Sequence, residues 1–125
     1  MNPFVKTFLA SAALVHRQLV VFTANDGEVA PAASATGKIA GVVDQPGGAA
    51  SGGRVDVVLF GPAEVVAGGT IAAGDFITAD ADGNAVVAAP AAAVNNVVAG
   101  RTLAKAVDGD IVKAFINPGS VQGAA

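Results

Sequence analysis

The chain contains no cysteine, tryptophan or tyrosine, and only one histidine and one methionine in 125 residues. Without cysteine there is no disulfide, no thiol nucleophile and no thiolate metal site. Charge is scarce too: 14% of residues are charged, against about 25% in typical soluble domains. The basic residues are scattered singly, and the net charge is -3 with a pI near 4.7. Binding to a phosphate backbone needs clustered Lys and Arg, often with aromatic rings for stacking, so no nucleic-acid partner is expected. Long apolar runs are missing as well. The longest uncharged stretch, Gly83 to Gly100, is Ala-rich and broken by Pro90 and Asn95-Asn96. A span needs about 20 predominantly apolar residues, so no membrane is expected. Lys6 and the apolar run Thr7 to Val15 resemble a secretory leader only faintly, because Ala10-Ser11-Ala12 falls inside that run and not after it.

A mean hydropathy of +0.59 remains to be explained. A single domain of this length buries roughly two thirds of its unfolded surface. Low charge and high apolar content together imply that part of the remainder is covered by protein, either a second copy or something larger.

Turns are the clearest positive signal. The stretch Gly68 to Val87 runs through Ala73-Gly74-Asp75, a short apolar run at Phe76 to Thr78, and Asp80-Ala81-Asp82-Gly83-Asn84 before Ala85 to Ala88. Asp-Gly between β-formers marks a hairpin, because such turns need backbone conformations that Gly, Asp and Asn tolerate. Asn25-Asp26-Gly27 and Asp108-Gly109-Asp110 repeat the pattern. Strands are predicted over Val15–Thr23, Gly37–Val43, Arg54–Phe60, Glu64–Ala67, Val97–Ala106 and Ile111–Ile116, with Pro31 confining Glu28 to Ala35 to an edge or a loop. In Arg54–Phe60, Val55, Val57 and Leu59 alternate with Arg54 and Asp56, as a half-buried antiparallel strand requires. Gly61-Pro62 is expected to turn the chain, Asn117-Pro118-Gly119 to end the sheet, and the four glycines of Gln45–Gly53 to leave a mobile loop. Residues Asn2 to Leu14 fit either an amphipathic helix or an extended arm, and the arm is preferred. The resulting expectation is an all-β fold: a small antiparallel β-barrel or sandwich of about eight short strands, with an extended N-terminal arm. Its parts are an arm at 1–14, a head domain at 15–119 and a tail at 120–125. A faint echo links Ala73–Ile77 to Asp108–Val112, about 35 residues apart, which a shared turn type explains better than duplication.

Chemistry-bearing patterns are weak. Asp80-Ala81-Asp82-Gly83-Asn84 resembles the start of a calcium loop, but glycine comes at the fourth position and Ala91 stands where a bidentate Glu is needed. Capping of their own turns is the better reading for these aspartates, and for Asp75, Asp108 and Asp110. His16, beside Arg17, has no partner at readable spacing for a triad. Gly37-Lys38 lacks both the preceding glycine and the following Ser or Thr of a phosphate loop, with Ala32 and Ile39 in their places. Lys38, Lys105 and Lys113 lie in or beside predicted strands, unlike the hairpin-tip lysine of a lipoyl or biotinyl carrier. No enzyme, cofactor or metal is expected.

Several segments together resemble the capsid decoration, or capsid cement, proteins of tailed bacteriophages. They are N-P-F-V-K-T-F near the start, A-N-D-G-E-V at 24–29 and R-V-D-V-V-L-F-G-P-A-E-V at 54–65, then the stretch at 68–86 and I-N-P-G-S-V-Q-G at 116–123. These are turn and strand motifs, specific by accumulation over nearly the whole chain. The resemblance implies a β-rich, commonly trimeric virion protein on the outer capsid surface, made in the host cytoplasm and added during assembly. Its partner would be the major capsid protein, whose neighbouring capsomers it would staple against DNA pressure. On this reading Asn2, Pro3, Phe4, Val5, Lys6, Thr7, Phe8 and Leu9 are the candidate capsid-binding residues. An alternative is a virion-attached, self-associating β-module that binds a host surface or glycan.

Overall fold

A computed structural model describes residues 3–90 and 92–123. The fold is all-β. Among the described residues it has nine strands: β1 (Phe4–Ala10), β2 (Leu19–Phe22), β3 (Glu28–Pro31), β4 (Ile39–Val43), β5 (Arg54–Val66), β6 (Phe76–Ala79), β7 (Ala85–Val87), β8 (Asn95–Thr102) and β9 (Ile111–Gln122). The predicted Asp-Gly turns are there, with Gly27, Gly83 and Gly109 all at positive φ.

The first five strands close into a small barrel in the order β1-β3-β2-β4-β5, sealed by antiparallel pairing of β1 with β5. One join is parallel, where Leu9 and Ala10 lie opposite Glu28 and Val29. Phe8, Val20, Val29, Val43, Val55 and Val57 fill the interior. The second half of β5 leaves the barrel and pairs with β9, heading a sheet of order β5-β9-β8-β6-β7. The larger core brings together Leu19, Ile39, Val42 and Val58 with Ile77, Val112 and Ile116 of this sheet. Adjacent Val57 and Val58 are thus both fully buried, one in each core. Both faces of β5 are covered there, so the simple alternation expected of a half-buried strand breaks down.

Two expected breaks are not breaks. At Gly61-Pro62 the chain continues as one 13-residue strand. Gly61, at φ +113, supplies the bend with which β5 passes from barrel to sheet. At Asn117-Pro118-Gly119, β9 also continues, pairing Ser120 to Gln122 with Val97 to Asn95. The register shift leaves Asn117 and Pro118 opposite Ala99, a bulge in which a residue without an N–H does no harm. The four-glycine loop is tied down: Leu14 and Ala49 exchange two 2.9 Å backbone bonds, and Gly52 donates to Ala10 at 2.7 Å.

The expected boundary at 14/15 falls in the connection between β1 and β2, and that at 119/120 falls inside β9. The N-terminal stretch is extended, as expected, but it is strand β1 of the barrel, not a free arm. The stretch Ser120–Gln122 likewise belongs to β9.

The 35-residue echo is more than a shared turn. Ile71 and Ala106 (106 − 71 = 35) exchange two backbone bonds with each other. Gly74 donates to Thr102 just as Gly109 donates to Ala67, and Thr102 to Asp75 as Ala67 to Asp110. Segments 67–75 and 102–110 are related by a local two-fold axis, each finishing the other's hydrogen bonding.

Candidate functional site

Strand β1 carries the residues singled out in the sequence, and it divides them. Phe8 is 5% exposed and points into the barrel core, so it is a structural residue. Phe4 (62%), Val5, Lys6, Thr7 and Leu9 (48%) are exposed; Pro3 is half-buried and packs beside Gly61. Asn2 lies outside the described residues. The pairing of β1 explains what this exposed strip can do. Ala10 donates its N–H to Gly53 at 2.9 Å, toward β5, and Leu9 donates to Gly27 at 2.8 Å, on the opposite side. Main-chain groups alternate along a strand, so those of Thr7 and Val5 also point away from β5. Among the described residues no strand pairs with that edge ahead of Leu9. The strip is thus a free strand edge flanked by apolar side chains, the geometry onto which another chain adds a strand. Lys6 and the bulge between Phe4 and Val5 are devices that discourage indiscriminate edge pairing.

Most of the other sequence candidates have structural work, the exception being Asp108, whose expected turn-capping bond is not formed among the described residues. Asp80 accepts the N–H groups of Asp82 (2.8 Å) and Asn84 (3.0 Å), capping its own turn. That turn is also docked on the barrel, since Leu19 donates to Gly83 at 2.9 Å. Asp75 and Asp110 cap Ala72 and Val107 in the same way, each at 3.0 Å. His16 Nδ1 accepts the Gln45 N–H at 3.1 Å. Gln45 in turn holds Gly48, Arg54 and Asp56 through its side-chain amide, so His16 anchors a loop. Arg17, at φ +71, reaches Glu64 at 3.2 Å.

Sequence reasoning missed the exposed aromatics. Phe22, Phe60 and Phe76 sit in strands yet are more than two fifths exposed. The alternation of β5 beyond the bulge, and of β6, could have placed Phe60 and Phe76 outward had the registers been known.

No protein-family model matches the chain, and no curated protein matches its sequence. Among solved structures, the chain is similar to the N base of the head fiber gp8.5 of bacteriophage phi29. The TM-score is 0.68 with 23% identity, covering 93% of this chain and 95% of that one. The likeness spans both the barrel and the second sheet, and it is a likeness of fold.

Proposed function

We propose that this protein is a structural component of a bacteriophage virion that binds the outside of the capsid, and that it has no enzymatic role. The observation that carries the proposal is the end-to-end fold likeness to a phage head fiber base. The segment resemblance to capsid decoration proteins points the same way from independent grounds. Binding uses the free edge of β1, where Val5, Thr7 and Leu9 offer main-chain groups and apolar contacts to a strand of the major capsid protein. Copies of the chain associate, as its low charge and exposed apolar residues favour. Several edges on one rigid oligomer raise the effective concentration of each, so individually weak contacts add to firm seating. A module seated this way staples neighbouring capsomers.

The test is quantitative mass spectrometry of density-banded virions, followed by edge variants. A copy number comparable to the major shell protein is expected; a handful of copies would favour the adhesin alternative, and absence would end the proposal. Thr7→Pro removes an N–H that points away from β5, together with the exposed hydrogen bond from Thr7 Oγ1 to Asp56, and Leu9→Asp places charge on the strip. Both should lower shell occupancy at least about tenfold, the equivalent of 1.4 kcal/mol, while the isolated protein melts within a few degrees of wild type. Full occupancy with both variants would rule out the β1 edge.

A further inference from the structure

The outward face of the second sheet carries a lateral row of aromatic and cationic side chains. Register puts Phe76 opposite Arg101 and Arg101 opposite Phe115. Phe115 meets Phe60 edge-on, with 5.2 Å between ring centres. The Arg101 guanidinium lies 4.7 Å from the centre of the Phe76 ring, which steadies its plane while leaving its edge donors available. An open cleft of about 790 Å³ runs along this row, with Leu103 in its wall. Arg101 is exposed, and among the described residues no carboxylate pairs with it; the ion pair formed there is Arg17–Glu64. Aromatic residues around an uncommitted arginine have the composition of an interface centre.

The matching chemistry is on the same chain. Around the turn that leads into β9, Val107 (56% exposed) precedes Asp108, and Ile111 (52%), the first residue of β9, follows three residues later. Asp110 spends its carboxylate on the turn, whereas Asp108 makes no side-chain hydrogen bond among the described residues. An apolar knob bearing one free carboxylate thus stands on a molecule that also has an aromatic cleft bearing one free guanidinium.

We propose that the cleft receives the Val107–Ile111 turn of a second copy of this chain, with Asp108 paired to Arg101. The inference rests on the reading above that copies associate, and it names the surface. Cleft and turn are separate sets of residues, so the contact forms either twice, reciprocally, in a two-fold dimer, or head-to-tail, where repetition closes it into a ring if the rotation permits. Carboxylate and guanidinium pair through parallel hydrogen bonds, so exchanging the two charges should preserve the contact.

Sedimentation velocity of the full chain over a concentration series tests this. Wild type should sediment as a multiple of its 12.0 kDa mass. Arg101→Asp and Asp108→Arg should each fall to the single-chain mass, and the double variant should recover the wild-type species. Leu103→Ser should weaken association without touching the charges. Melting curves close to wild type show that lost association is not lost folding; if Arg101→Asp does not fold, Asp108→Arg and Leu103→Ser decide the matter. A wild type that is monomeric throughout overturns both this surface and the association reading. An oligomer indifferent to either charge variant, or a double variant that stays monomeric, overturns this surface alone.

Discussion

Gly100 sits where β8 shifts register against β9, at φ +147, and a Cβ there would collide with the Phe115 carbonyl oxygen. Gly69 lies at an ordinary φ with nothing near its would-be Cβ. Gly100→Ala should therefore cost about 3 kcal/mol, from backbone strain plus overpacking, and Gly69→Ala should stay within about 0.5 kcal/mol of wild type. Urea unfolding midpoints check the contrast. In the sequence the two glycines look alike, since neither belongs to an Asp-Gly pair. Gly27, Gly83 and Gly109 were legible because the preceding aspartate announces the turn. A glycine required by the approach of a distant strand carries no local signature. The same holds for the candidate site: that Phe4 faces out and Phe8 faces in follows from the pairing of β1, not from the spacing of its phenylalanines.

Strand identities were largely readable, because apolar alternation and turn chemistry are local. Strand lengths were not. Gly61-Pro62 and Asn117-Pro118-Gly119 are stop signals anywhere else, and here a bend and a bulge absorb them. Whether proline ends a strand depends on what lies across from it, and for Pro118 that is the single residue Ala99. The two-fold relation between 67–75 and 102–110 was invisible for another reason. Its repeat is carried by backbone hydrogen bonds, with Gly74-Asp75 and Gly109-Asp110 as the sequence trace. If the two turns are equivalent, Asp75→Ala and Asp110→Ala should destabilise by similar amounts, about 1 kcal/mol each, measured by chemical denaturation. Losses that differ by more than about 1 kcal/mol would show that the symmetry is geometric but not energetic.

For the molecule as a whole, the status of the N terminus matters most. A free arm could be removed without harm, and the sequence favoured an arm over Asn2 to Leu14. The closed barrel requires the opposite. Deleting residues 2–9 would strip β1 of its pairing with β5 and remove buried Phe8; truncating a buried Phe alone typically costs about 3–5 kcal/mol. That loss is of the order of a small domain's entire stability. The truncated protein should show no cooperative thermal transition, whereas Thr7→Pro should melt normally. A folded truncation would return the N terminus to the role of an appendage.

Strand β5 gives the molecule a further property. Its first half is laddered to β1 and its second half to β9, so one unbroken backbone serves both lobes, with no linker between them. The two lobes have no joint at which to rock. A load arriving along the first strand crosses one ladder into β5 and leaves through the other, and a pull directed along the strands strains every rung together where a sideways pull would peel them in turn. Gripped at one edge, such a body behaves as a rivet and not as a hinge.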